Sequence, residues 1–410
     1  MAVIKPFSAY RPRKDIVSRV AALPYDVYNR AEAKKVVAGN PLSFLRIDRA
    51  ETSFDDSVDM YAPCVYEKAK ELLDNMIANG EYIKDNKEFY YIYALTMDGR
   101  TQTGIVACAS IDDYENGVIK KHENTREDKE LDRIAHVDTC NAQTGPIFLA
   151  YRAQADIDGV VDRICTQQPE YSFTSEDGIR HAVWLVDEPS DIATIKNSFE
   201  NLSQIYIADG HHRAASAVKV GCKRRGENPS HQGTEEYNYF LSVLFPHNQL
   251  KILPYNRVIR DLNGYSVDAF LSKLGACFDV VKADEAFAPS RKGTYGMYLE
   301  GQWYKLSAKA EYLSEDPVAG LDVSVLQDNV LGPILGIEDP RTDKRIDFVG
   351  GIRGLSELER RVSQDMKLAF SMYPTSIEEL FSVADANMLM PPKSTWFEPK
   401  LRSGIFIHKL

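Results

Sequence analysis

Nowhere in the 410 residues does an apolar run approach the ~18 residues that a membrane-crossing helix needs. The opening MAVIKPFSAYRPRKD also lacks the unbroken apolar core of a secretory signal. The expectation is a soluble, cytoplasmic protein with no membrane partner. Positive charge is short as well: 49 Lys and Arg stand against 60 Asp and Glu, a formal net charge of −11. A surface devoted to nucleic acid would be basic, so that partner is disfavoured. Cysteines number only six, at positions 64, 108, 140, 165, 222 and 277, with no CxxC pair and no zinc-knuckle spacing. They read as reduced thiols. Repeats and low-complexity tracts are missing too. A hydrophobic fraction of 44% with 27% charged residues excludes a disordered or coiled-coil chain.

What is present has the alternation of an α/β to α+β protein. Residues 31–39 and 63–79 have helical spacing, each stopped by Gly. EFYYIYALT and GRTQTGIVACASI flank an Asp98-Gly99 turn and predict a β-hairpin. PIFLAY, HAVWLV and EYNYFLSVLF read as strands, and QIYIA-DG-HHRAASAVKVG as strand, turn and helix. Past a composition change at 246–254 come a helix–strand pair at 266–281 and a second hairpin at 293–308. The 321–331 segment looks helical, and Ser376 with Glu379 forms a capping box. Three regions are expected: an N-terminal α/β region at 1–110, a central one at 111–250, and a C-terminal α/β region at 251–410.

Chemistry concentrates in two places. Asp209-Gly210-His211-His212-Arg213 sits between a strand and a helix. Gly lets the backbone approach a ligand, and a first helical turn offers unpaired N–H groups at the positive end of the dipole. Two imidazoles and a guanidinium add donors for phosphate oxygens, while Asp209 suits a Mg²⁺ ion bridging them. Alternatively, Asp209 is an N-cap and the histidines are ordinary first-turn residues. The second place is Lys121-His122-Glu123-Asn124-Thr125, followed by Lys129, Asp132 and Arg133. The HExxH zinc pattern fails because Arg126 stands where its second histidine belongs. Glu123 can accept a proton and Lys121 or His122 can steady an anion, or else the segment is a solvated charged face. In the last loop, Lys393, Lys400 and Arg402 are either a solvated tail or a clamp on an anionic ligand.

Taken together with Pro24-Tyr25-Asp26-Val27, Asn40 to Leu45, Gly145-Pro146-Ile147-Phe148 and MPPKSTWFEPKLRSG, these motifs resemble a bacterial and archaeal family labelled domain of unknown function 1015. The resemblance runs over nearly the whole chain. The Asp-Gly-His-His-Arg segment is similar to the phosphate-binding turn of the wider ParB/sulfiredoxin-like fold, whose members include free-serine kinases, CTP-binding DNA clamps and sulfinic-acid reductases. It implies a ParB/sulfiredoxin-like nucleotide-binding core with an additional mixed α/β C-terminal region. Gly210, His211, His212 and Arg213 become a cradle for ATP or ADP, Asp209 a metal or hydroxyl contact, and Glu123 the acid/base group, with His122 and Asp209 as further catalytic residues. The implied activity is a nucleotide-dependent phosphotransferase acting on a small hydroxyl substrate such as L-serine. A non-catalytic nucleotide-binding regulator and a phosphohydrolase are the alternatives, and a homodimer is admitted. Sulfiredoxin chemistry is set aside because His211 stands where that class carries its cysteine.

Overall fold

The computed structural model describes residues 1–410 and divides into two units, Met1–Leu250 with Pro399–Leu410, and Lys251–Glu398. The first unit carries a nine-stranded mixed sheet. Its strands are β1 (Ile4–Lys5), β2 (Tyr90–Met97), β3 (Arg100–Ser110), β4 (Ile119–Lys120), β5 (Ile147–Tyr151), β6 (Tyr171–Thr174), β7 (Arg180–Val186), β8 (Ile205–Asp209) and β9 (Tyr239–Pro246). They lie in the order β4-β8-β5-β9-β3-β2-β7-β6, with β1 paired to β3. The expected β2–β3 hairpin forms in the register Met97↔Arg100. Asp98 and Gly99 are both left-handed, at φ 51 and 77, as a two-residue primed turn requires.

Six helices position the site in this unit: α1 (Leu45–Asp48), α2 (Pro63–Ala78), α3 (Glu127–Cys140), α4 (Ala155–Cys165), α5 (Pro189–Glu200) and α6 (His211–Glu227). Ile92, Ile105, Leu149 and Ile207 of the sheet pack with Val161, Ile195 and Phe199 into one core cluster. A second cluster joins Phe44, Leu45, Leu72 and Leu73 to Ile407 of the returning C-terminus. Helix α3 departs from the solvated-face expectation. Its inward face buries Glu130, Asp132, Arg133 and His136. These charges are paired within the fold, so the segment has no apolar stripe to read.

The second unit is built on a six-stranded antiparallel sheet of β10 (Tyr255–Ile259), β11 (Phe278–Ala283), β12 (Thr294–Leu299), β13 (Gln302–Ala308), β14 (Ile346–Gly350) and β15 (Leu368–Ser371). Their order is β11-β13-β12-β15-β10-β14. It also holds α7 (Val267–Cys277), α8 (Gly354–Gln364) and α9 (Ile377–Asp385), the last with the expected Ser376/Glu379 capping box. The helical 321–331 segment is Asp322–Leu326 continued by a π turn, Gln327–Leu331.

The three-region division is corrected in this architecture. β3, from the expected first region, pairs with β9 from the second, so residues 1–250 share one sheet. The last residues return to this unit outside that sheet: His408 pairs with Gln143 in a separate two-stranded ladder, and Ser403 bridges to Ala22. The six cysteines are free thiols, with Cys108 and Cys140 buried. No helix is long and apolar enough to cross a membrane.

Candidate functional site

Ile205, Tyr206, Ile207 and Ala208 are all buried, which makes β8 an interior strand, and Gly210 ends it abruptly. Gly210 adopts φ 92, a conformation that L side chains rarely take. A Cβ there would also stand 3.3 Å from the Arg213 guanidinium. Helix α6 therefore begins one residue after the strand, with no side chain capping its first N–H groups. Over 17 residues it carries a full dipole toward that bare end. Its inner face is small, and Gly221 lets it approach the Tyr237 carbonyl, to which a Cβ would come within 2.4 Å.

The short strand β4 brings the second motif to the same place. β4 runs parallel to β8, in the register Ile119↔Ile205 and Lys120↔Tyr206. Parallel strands end on the same edge, so residues 121–123 leave the sheet beside Asp209 and Gly210. His122 is buried and meets His211 edge-on, with ring centroids 4.5 Å apart. Glu123 is partly exposed and brings Oε2 to 4.0 Å from His211 Nδ1. The Arg126 backbone N–H donates to His212 Nε2 at 3.0 Å, so the neutral His212 carries its proton on Nδ1.

Burial pushes the His122 imidazole down to about 4, although a bond to the Ile207 backbone works against it. Burial and the neighbouring His122 also drive His211 well below the ordinary range. Burial also lowers His212, against the opposing pull of Asp26 and Glu130. His122 Nδ1 and His211 Nε2 have no hydrogen-bond partner. A buried polar atom without a partner costs roughly 1–3 kcal/mol, and retaining one at a helix start fits a ligand that completes it.

Because folding favours the neutral His122 ring, the unfolded chain takes up this proton first as the pH falls. The stabilisation is complete above about pH 6.5 and is lost progressively from there down to about pH 4, about 3 kcal/mol for this residue. Melting curves between pH 7 and 4 should therefore fall steeply for the native protein and less so for His122→Gln. Equal slopes would assign the proton uptake elsewhere.

Asp209 accepts from Lys400 Nζ at 2.8 Å, with the aspartate side chain one-third exposed. Burial alone would raise its carboxyl, but Lys400 and Arg213 outweigh that and hold it well below the usual range. This changes the metal assignment. An ammonium stands on the carboxylate expected to take Mg²⁺, and no group of three or more His, Cys, Asp or Glu side chains could hold a metal ion. These residues do not fit a resident divalent metal. Of the two late cations in the first unit, Lys400 joins the site. Arg402 is buried against Asp177, Ser175 and His181, and Lys393 belongs to the second unit.

Arg213 lies across the glycines at 145 and 210 and donates to the Pro146 carbonyl at 2.7 Å. It lines a small cavity of about 30 Å³ with Tyr25, Asp48, Arg133 and Thr144. Tyr25, Asp48 and Arg133 also line a second small cavity of about 40 Å³, with Asp26, Arg49 and Asp132. The walls are ionic and ordered. Arg133 stacks 4.0 Å from the Tyr25 ring centre and pairs with Asp132 at 3.0 Å. Thr144 Oγ1 donates to Asp48 at 2.9 Å, and Tyr66 donates to Asp132 at 3.0 Å. Sequence reasoning missed Asp48 and Tyr66, which stand in no recognisable motif. Tyr25 and Asp26 were visible only as part of Pro-Tyr-Asp-Val.

The family described as Protein of unknown function (DUF1015) matches residues 4–324. No curated protein matches. Among solved structures, a free serine kinase in complex with AMP aligns at 13% identity and a TM-score of 0.36, covering 74% of this chain and 91% of its own. A conserved hypothetical protein from Pyrococcus furiosus aligns at 16% identity and a TM-score of 0.35, covering 74% and 94%. SbnI with a C-terminal truncation, from Staphylococcus aureus, gives 11% identity and a TM-score of 0.38 over 72% and 82%. With TM-scores below 0.5, these likenesses carry no argument about what this chain does.

Proposed function

The chain belongs to the DUF1015 family, and on the geometry of its own site we propose that it is a nucleotide-dependent phosphotransferase acting on a small hydroxyl substrate. The observation that carries this is the parallel β4–β8 pairing. It sets the Glu123 carboxylate beside the bare start of α6, a feature suited to phosphate. In this reading the first unit is a ParB/sulfiredoxin-like nucleotide-binding core. The α6 N–H groups, His211 Nε2, Arg213 and Lys400 hold the phosphates of ATP or ADP. The acceptor binds against the ionic wall formed by Arg213, Arg133 and Asp48, whose mixed charges suit a zwitterion such as L-serine.

Each side chain then has one task. Glu123 takes the proton from the acceptor hydroxyl as that oxygen bonds to the terminal phosphorus. The bond from phosphorus to the departing nucleotide oxygen breaks, and the charge left there meets Arg213, Lys400 and the helix N–H groups. Asp209 holds Lys400 in place rather than acting as a base, because its low pKa makes it a poor proton acceptor. His122 packs His211 into position. Being buried, it is not placed to touch the acceptor.

The test is nucleotide consumption with and without an added acceptor, preceded by thermal-shift screening of ATP, ADP and CTP. At ligand concentrations of about 100 times Kd, a bound nucleotide should add about 2.7 kcal/mol of stability. Consumption that requires L-serine or another hydroxy acid supports the transferase. Consumption indifferent to any acceptor would make the protein a phosphohydrolase. Binding without turnover would leave a regulator.

A further inference from the structure

Four carboxylates line the two small ionic cavities: Asp26, Asp48, Glu51 and Asp132. Three of them are buried and already engaged. Asp48 accepts from Thr144, Glu51 pairs with Arg49, and Asp132 pairs with Arg133 while accepting from Tyr66. Asp26 differs in both respects. It is exposed to solvent, accepts no hydrogen bond and forms no ion pair.

The backbone that carries Asp26 is nevertheless fixed. Tyr25–Val27 is a single 3-10 turn, closed by the Val27 N–H on the Pro24 carbonyl at 3.1 Å. The buried Arg49 guanidinium donates to the Tyr25 carbonyl at 3.0 Å and to the Tyr28 carbonyl, so it clamps the turn from both sides. Arg133 lies over the buried Tyr25 ring, 4.0 Å from its centre. Two buried arginines hold this turn, and neither takes the Asp26 carboxylate.

That carboxylate stands at the site. Of the charges around His212, at the second position of α6, Asp26 acts on it most strongly. It also shares a cavity wall with Arg133 and Asp132. Arg213, Arg133 and Lys400 give this region cations for the negative groups of a ligand. A zwitterion brings an ammonium as well, and an ammonium leaving water needs a carboxylate partner. Among the four acids of the wall, Asp26 has its oxygens open to supply one, and its fixed backbone leaves little to be ordered on binding.

We propose that Asp26 is the ammonium contact of the acceptor, by which the site selects a hydroxyl-bearing amino acid over a hydroxy acid. The identity of the ligand as an acceptor rests on the phosphotransferase reading. The contact itself is one charge-assisted bond between a primary ammonium and the Asp26 carboxylate.

The experiment titrates L-serine, and separately glycerate, into the full chain by calorimetry, with and without ADP. Glycerate keeps the hydroxyl and carboxylate of serine and has a second hydroxyl where serine has its ammonium. The native protein should favour L-serine by about ten- to a hundredfold, the worth of hydrogen bonds to a charged group. Asp26→Asn should remove that preference through weaker L-serine binding, with affinity for glycerate and for ADP within about twofold of native. Because Asp26 is exposed and unbonded, the variant should melt close to the native protein. Asp26-dependent L-serine binding without phosphate transfer would keep this contact and refute the transferase. Transfer to L-serine and glycerate alike, unmoved by Asp26→Asn, would keep the transferase and overturn the contact. No L-serine binding, an equal loss for both acceptors, or a large drop in melting temperature would also overturn it.

Discussion

Glu123→Gln should lower phosphotransfer by about 10²- to 10⁴-fold while nucleotide affinity stays within about twofold. The substitution keeps the size and reach of the side chain and removes only its basicity. The neighbouring groups are poor replacements. Asp209 is held ionised by Lys400 and Arg213, so it is a weak proton acceptor. His211 is buried, with a pKa driven far below 6.5, which makes it a weak base as well. Glu123 is 41% exposed and lies 4.0 Å from His211 Nδ1, so it alone combines an accessible oxygen with the right position. Steady-state rates paired with calorimetric nucleotide titration separate the two quantities. Retained turnover in Glu123→Gln would transfer the base to another residue. A parallel loss of affinity would make Glu123 a binding group instead.

The parts legible in the sequence are those governed by local rules. Asp98-Gly99 between β-rich runs gives the β2–β3 hairpin, since few residues other than Gly, Asn and Asp accept its turn. The strand, Gly210 and helix over residues 205–227 were readable for the same reason: a positive φ is needed where the chain turns back at once. The capping box at Ser376 is another local signal. The joining of the two motifs was not readable from spacing. It depends on β4, a strand of two residues, pairing with β8 some eighty positions later. A two-residue strand has no alternation to detect, and its register is set by the tertiary packing around it. Helix α3 hid for a different reason. Its buried face is charged, with Glu130 taken by Lys219 and Thr125, and Asp132 by Arg133 and Tyr66. A pattern search that equates burial with apolar residues cannot find such a face. Lys400 and Arg402 are two positions apart, yet one reaches Asp209 and the other is buried against Asp177. Side chains two positions apart in an extended segment share a face, so the divergence comes from the irregular backbone of residues 398–402, whose turns have no period in the sequence.

Arg213→Ala should weaken ATP or ADP binding by about ten- to a hundredfold, or about 1.5–3 kcal/mol, the worth of hydrogen bonds to a charged group. The ligand-free protein should also lose some stability, because Arg213 donates to the Pro146 carbonyl and fills the space between the glycines at 145 and 210. That loss amounts to about 1 kcal/mol, or about 2–4 °C in melting temperature for a unit of this size. Arg213→Lys divides the two roles. A lysine keeps the charge, but it cannot bridge a carbonyl and a phosphate with a planar fork. It should recover part of the affinity and little of the lost melting temperature. If both variants melt low but bind nucleotide as the native protein does, Arg213 is scaffold for the 145–146 turn, and the phosphates must rest on Lys400 and the α6 N–H groups. If affinity falls in both with the melting temperature nearly intact, the guanidinium is the main phosphate contact and its bond to Pro146 serves to aim it. Titrating ADP into the three proteins, with melting curves recorded on the same preparations, separates these cases.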